Sequence, residues 1–373
     1  MLLRRPTRKL ATAVTVASTV CAIGASAAVG AGAAVAAPAA SWSRPSAPIP
    51  GAFTNDTPAV SSITFPGPIG QGIIVAWRGR GRTAHIYYKF RTASFHKGRW
   101  SKPGVIPGPH AVTESAAAIT AYTDPLGRSA VLAVWTGPRH RHIWYSQGET
   151  RGNGTIAWTG PAVLPKTVLY TNTIDRPAAF VPSHKNVALV AWRGPANHVR
   201  YAIGTPHRRG FTWSKSTVVP GSPVSPVGVH CTSAPCTSAT PAIAEASTGT
   251  AKGTLYMFWK QYGTRHLFYA STPDPLTIST RLAWTAPVMV PGAITLTGPA
   301  ASVIGINGFG PLLLVYKAAF TTHVRFQTLT GGTWSASSFV PRAYTDVTPG
   351  LLRGLLATTT PTLIGNITLH VFS

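Results

Sequence analysis

From about residue 58 onward the chain is a succession of short apolar runs bounded by Gly, Pro, Asn and Ser, and the runs recur every 57 residues or so. One run closes on an aromatic residue in each copy: IIVAW at Trp77, VLAVW at Trp135, ALVAW at Trp192, LYMFW at Trp259 and PLLLVY at Tyr316. An apolar–polar alternation follows at 86–90, 143–146, 199–202, 267–270 and 324–327. Period two marks a strand with one polar face, and a short unbroken run fits a strand buried on both faces. Before each pair lies a small apolar segment opened by Pro58, Pro177, Pro241 or Pro299, with Glu114 in place of the Pro in copy two. After it comes a second Trp (Trp100, Trp158, Trp213, Trp284, Trp334), usually followed by Ser or Thr and then a V-P-G-like turn. Four strands at this spacing predict one propeller blade per repeat.

The two ends complete the pattern. Trp42 and the Ile49-Pro50-Gly51 turn read as an outer strand with no strands before it. After Pro349 come three apolar runs and no outer strand. Joined, they would make a sixth four-stranded blade, pairing the edges that an open ring exposes. The expected fold is therefore an all-β six-bladed β-propeller over residues 40–373.

Residues 1–39 read differently. Arg4, Arg5, Arg8 and Lys9 precede a long run of small apolar residues, and Ala34-Val35-Ala36 or Ala37-Pro38-Ala39 offers a cleavage site. This predicts a cleaved export signal, a secreted protein and no stable membrane insertion after cleavage. The chain carries 33 Lys and Arg against 8 Asp and Glu, a net charge of +25. Removing the leader with its four cations leaves about +21. Such a charge binds phosphates non-specifically, but no nucleic-acid recognition motif accompanies it. Outside a cell it fits anionic wall polysaccharide better. Cys231 and Cys236 lie in a Ser/Pro/Thr-rich insertion at 222–240 and are expected to form a small disulfide, as export permits.

The blade pattern resembles the six-bladed lectins of the fucose-specific type and the sialidase-like superfamily. The residues that carry the likeness are Trp192-Arg193-Gly194, the strand at 199–202, Gly210-Phe211-Thr212-Trp213-Ser214 and Gly332-Thr333-Trp334-Ser335. The resemblance implies a propeller that binds glycans. No cofactor is expected, and no metal either, because sheets packed about 10 Å apart cannot bring histidines of several blades to the roughly 2 Å that zinc requires. A monomer is expected.

Two polar positions recur where ligands would reach them. A cation follows the first aromatic at Arg78, Arg193, Lys260 and Lys317, with Thr136 in copy two. A histidine opens the third strand in every full copy: His85, His142, His198, His266 and His323. Guanidinium and imidazole donate hydrogen bonds to hydroxyls and carboxylates, and aromatic rings stack on the apolar face of a pyranose. A histidine at a fixed strand start also serves to tie down its loop, and both Trp positions are expected to be core. For hydrolysis the acids are few. Glu114 and Glu245 are the weak catalytic candidates, read on inner strands of blades two and four, at different heights and on non-adjacent blades. Glycoside hydrolysis usually needs two cooperating groups. A lectin-like propeller is thus the first expectation. A sialidase-like hydrolase and a structural or protein-binding propeller held to an anionic wall are the alternatives.

Overall fold

The computed structural model describes residue 42 and residues 46–80, 84–92, 99–138, 142–165, 176–182, 186–194, 197–208, 210–220, 240–246, 253–273, 281–304, 310–352, 355–359 and 367–371. The expected leader and the Cys231–Cys236 pair lie outside these residues.

Five complete blades follow one another. The first is Ala59–Phe65, Gly70–Arg78 and Ala84–Thr92, flanked by Gly104–Val105 and Val112–Thr113. The second is Ala118–Thr123, Ser129–Thr136 and Ile143–Thr150, with outer pieces Ile156–Trp158 and Ala162–Val163. The third is Ala178–Phe180, Ala188–Arg193 and Val199–His207, with Gly210–Trp213 and Thr217–Val218. The fourth is Ala242–Ala246, Thr254–Lys260, His266–Pro273 and Val288–Ile294. The fifth is Ala300–Val303, Leu312–Lys317 and His323–Thr330, with Thr333–Trp334 and Ser338–Tyr344. A smaller sheet of Gly350–Leu352, Leu355–Thr359 and Ile367–Val371 stands after them. The inner strands touch in cyclic order, and Gly350–Leu352 contacts both Ala300–Val303 and Ala59–Phe65.

The expected six four-stranded blades are therefore corrected to five full blades and one three-stranded sheet. Residues 46–52 do lie along Ile367–Val371. Ser46 N–H donates to the Leu369 carbonyl at 2.8 Å and Ile49 N–H to the Ile367 carbonyl at 2.9 Å. Pro48 and Pro50 have no N–H to donate, so a continuous ladder does not form there.

The expected single outer strand is corrected too, because in three blades it breaks into two pieces that pair with successive halves of the third strand. The hydroxyl after the second Trp manages the break. In blade three Ser214 N–H donates to the Ile203 carbonyl at 2.8 Å, while Ser214 Oγ accepts the Ile203 N–H at 3.0 Å. Ser101, Thr159, Thr285 and Ser335 repeat both bonds in the other blades. A side-chain oxygen thus stands in for a ladder carbonyl where the backbone turns away.

Blades pack through aromatic rings. Trp77, Trp135, Trp192, Trp259 and Tyr316 are buried as expected. The outer Trp residues were expected to be core, but Trp100, Trp158, Trp213 and Trp334 are half-buried, and only Trp42 and Trp284 are buried. Each covers the third strand of the preceding blade: Trp158 on Tyr88, Trp213 on Tyr145, Trp284 on Tyr201 and Trp334 on Tyr269, with centroids 5.4–5.9 Å apart. The contacts are edge-on, and the indole nitrogens of these four rings are buried.

Candidate functional site between the blades

The register fixes which loops share a face. Ala59 pairs with Ala76, Arg78 with Ile86, and His85 with Val112. The end of the second strand, the start of the third and the linker into the next blade thus open on one side of the ring. The expected cations and histidines all lie there.

Within one blade, however, cation and histidine occupy opposite sheet faces. Trp77 pairs with Tyr87, so both lie on one face, and His85 joins them two residues earlier. That face packs on Ile367 and Leu369 of the preceding sheet. Arg78 pairs with Ile86, whose face packs on Trp135 and Trp144 of the next blade. The arrangement repeats, so a groove joins the cation of one blade to the histidine of the next. Complete pairs are Arg78 with His142, Arg193 with His266, and Lys260 with His323. His198 faces the groove that Thr136 lines, His85 the groove bounded by the three-stranded sheet, and Lys317 the other side of that sheet. The grooves are not equivalent.

The groove between blades three and four is the most fully built. Arg193 is half-buried, its Nε donates to Asn197 Oδ1 at 2.5 Å, and its guanidinium sits 5.8 Å from the centre of the Tyr262 ring of the next blade. Asn197 takes a positive φ of 61° to make this turn, which Asn tolerates better than most residues. In the groove between blades one and two, Arg78 Nε donates to the Thr113 carbonyl of the linker at 3.2 Å. Between blades four and five, the Arg265 guanidinium lies 4.2 Å over Phe320.

The histidines hold their loops by their backbones. The N–H of Gly79, Gly137, Gly194, Gln261 and Ala318 each donates to the carbonyl of the histidine that opens the third strand, at 2.8–3.1 Å. The side chains of His85, His142 and His323 are exposed, and those of His198 and His266 half-buried. His323 leans on Tyr344, with centroids 5.0 Å apart.

The sequence reading missed the next residue on the same face. Two positions after each histidine come Tyr87, Trp144, Arg200, Phe268 and Arg325, all half-buried. The signal was legible as His, apolar, then aromatic or Arg in every copy. It also explains the glycine of the W-x-G motif. A Cβ on Gly79 would stand 2.6 Å from Tyr87, on Gly137 2.4 Å from Trp144, and on Gly194 2.4 Å from Arg200.

The acids do not meet. Glu245 lies on the inner strand Ala242–Ala246 as expected, facing the axial cavity. Glu114 instead sits in the linker between Val112–Thr113 and Ala118–Thr123, which corrects its assignment to an inner strand. Replacing the proline of the strand-opening element shifted the apparent start of that strand. Among the described residues no three His, Cys, Asp or Glu side chains gather as metal ligands would.

No protein family and no curated protein matches the sequence. Solved structures do resemble it. A triple arginine-to-alanine variant of AofleA from Arthrobotrys oligospora aligns with a TM-score of 0.59 at 14% identity, over 86% of this chain and 83% of that one. NanB sialidase from Streptococcus pneumoniae gives 0.55 at 10% identity, over 86% and 68%. A lectin of Aleuria aurantia, described as a six-bladed β-propeller with a novel fucose recognition mode, gives 0.50 at 13% identity, over 78% and 80%. At such identities the likeness shows the fold. The chain is a β-propeller similar in fold to fucose-specific lectins and to a sialidase.

Proposed function

We propose that this protein is an exported, non-enzymatic glycan-binding propeller whose sites are the inter-blade grooves on the linker face. The observation that carries the reading is the strand register, which sets a cation across from a histidine of the next blade in three grooves, two of them beside a half-buried ring, Trp144 or Phe268. A groove of this kind offers N–H donors for sugar hydroxyls and an aromatic surface for the apolar side of a pyranose. Several weak sites on one rigid ring raise avidity for a repeating polysaccharide. The high positive charge favours anionic wall polymers as the setting. The three-stranded sheet and residues 46–52 together act as a sixth blade that closes a monomeric ring.

A glycan array tests this directly. The wild-type chain is expected to bind a restricted set of glycans, and the Arg193→Ala, His266→Ala double variant to bind them at least about tenfold more weakly with its melting temperature little changed. Loss of signal in step with salt alone, without preference among neutral sugars, would favour charge retention on a wall. The fold likeness to a sialidase and the place of Glu245 beside the axis give one point to a hydrolase. Turnover of a fluorogenic glycoside that disappears in Glu245→Gln would establish it.

A further inference from the structure

The axis of the ring holds a second candidate site, separate from the grooves. Inner strands of all the sheets enclose a cavity of about 580 Å³. Its walls are almost wholly small apolar or hydroxyl-bearing residues, such as Ala59, Ser62, Thr120 and Ser302. Among the described residues that line it, Arg176 is the one cation and Glu245 the one acid.

Arg176 is out of pattern. Each linker carries a Thr four residues before the strand-opening position, and Thr113, Thr295 and Thr345 each hold the residue two places on through their hydroxyls. The residue just before the strand-opening position is small in five copies, namely Thr57, Ala116, Thr240, Gly298 and Thr348. Only in copy three is it long and charged. Its guanidinium has five N–H donors and among the described residues meets one acceptor, the Pro58 carbonyl of blade one at 3.5 Å, while its Nε is buried without a hydrogen-bond partner there. Burial pushes Arg176 down to about 10. Asp56 is the nearby counter-charge, and Arg78 also acts on it. No ion pair within 4 Å joins Asp56 to Arg176 among the described residues. Glu245 is five strand positions further along the axis, roughly 16 Å at the rise of a strand, so it does not neutralise this end.

We propose that Arg176 forms a single axial site for a carboxylate-bearing ligand, entering at the linker-face mouth of the cavity. A carboxylate matches the guanidinium fork with two parallel charge-assisted bonds, which a neutral hydroxyl does not supply. The same chemistry serves a small organic acid or the acidic unit of a glycan.

Calorimetry in about 0.15 M salt, with sodium acetate, sodium glucuronate and glucose as probes, tests this. One carboxylate is expected to bind per chain, and glucose not at this site. Equal affinity for acetate and glucuronate would point to a free acid, stronger glucuronate binding to an acidic sugar, and either supports the site. Arg176→Gln should weaken glucuronate at least about tenfold, and Arg176→Lys should recover part of the loss. Asp56→Asn should tighten binding several-fold by removing the competing carboxylate, an effect that a purely structural Arg176 would not produce. Glucuronate binding unchanged in Arg176→Gln, no tightening in Asp56→Asn, or many-site binding that salt abolishes equally in all variants would overturn the proposal. Groove binding, dependent on Arg193 and His266, stands or falls independently.

Discussion

At the scale of single residues, the repeat is held by a few side chains with one task each. The glycine of the W-x-G motif gives room to a ring or a guanidinium, and the hydroxyl after the second Trp replaces a ladder carbonyl. The two differ in how they fail. Gly137→Ala would press a Cβ onto the indole of Trp144, which has few ways to retreat, and is expected to cost about 1–3 kcal/mol. Gly194→Ala meets the aliphatic stem of Arg200, a flexible chain, and should cost less than half as much. Urea melts of the two variants give this ranking, and equal losses would contradict it. The apolar runs announced the buried Trp and Tyr positions because an unbroken run has few other uses. Tyr87, Trp144 and Phe268 are hidden in the sequence because they sit between apolar neighbours and look like core. Only the strand register shows that they share the histidine face.

At the scale of elements, the seam between the chain ends repeats the geometry of ordinary blade contacts. Ile49 N–H bonds to Ile367 as Ile106 does to Ile86, Leu164 to Ile143 and Val219 to Val199. Trp42 covers Phe326 at 5.6 Å, as the other outer Trp residues cover the preceding blade. Lys89 donates from its buried ammonium to the Pro50 carbonyl, as Gln327 Nε2 donates to Pro291 at 2.9 Å. Burial holds Lys89 below the usual lysine range. Lys89→Ala should therefore free residues 46–52 and speed their proteolysis, whereas Lys89→Gln, copying Gln327, should largely keep them in place. Equal cleavage of both variants would show that the bond does not hold the seam. His370 on the same sheet is pushed down to about 4 by burial. Its unfolded value is near 6.5, so its contribution is complete above that pH and is lost as pH falls toward 4. The loss amounts to about 3 kcal/mol. Melts from pH 7 to 4 should show that slope in the wild type and a flatter one in His370→Gln. Of the terminal runs read from the sequence, 367–372 matches the last strand, 351–356 divides between Gly350–Leu352 and Leu355–Thr359, and 362–364 lies outside the described residues. The missing ladder at 46–52 was not legible, because Pro48 and Pro50 mark a turn as readily as a strand.

At the scale of the whole molecule, the ring turns one repeated sequence into several grooves whose walls come from different copies. A repeat read in isolation puts Arg193 and His198 five residues apart and invites the idea that they share a ligand. Strand pairing separates them onto opposite faces and sets Arg193 in a groove with His266. The most direct measurement is a double-mutant cycle on the affinity for the best glycan found on an array, using Arg193→Ala with His266→Ala and, for comparison, Arg193→Ala with His198→Ala. The across-blade pair is predicted to show a coupling of about 1 kcal/mol and the within-blade pair close to none. Coupling confined to Arg193 and His198, or no glycan bound by the intact ring, would contradict the account.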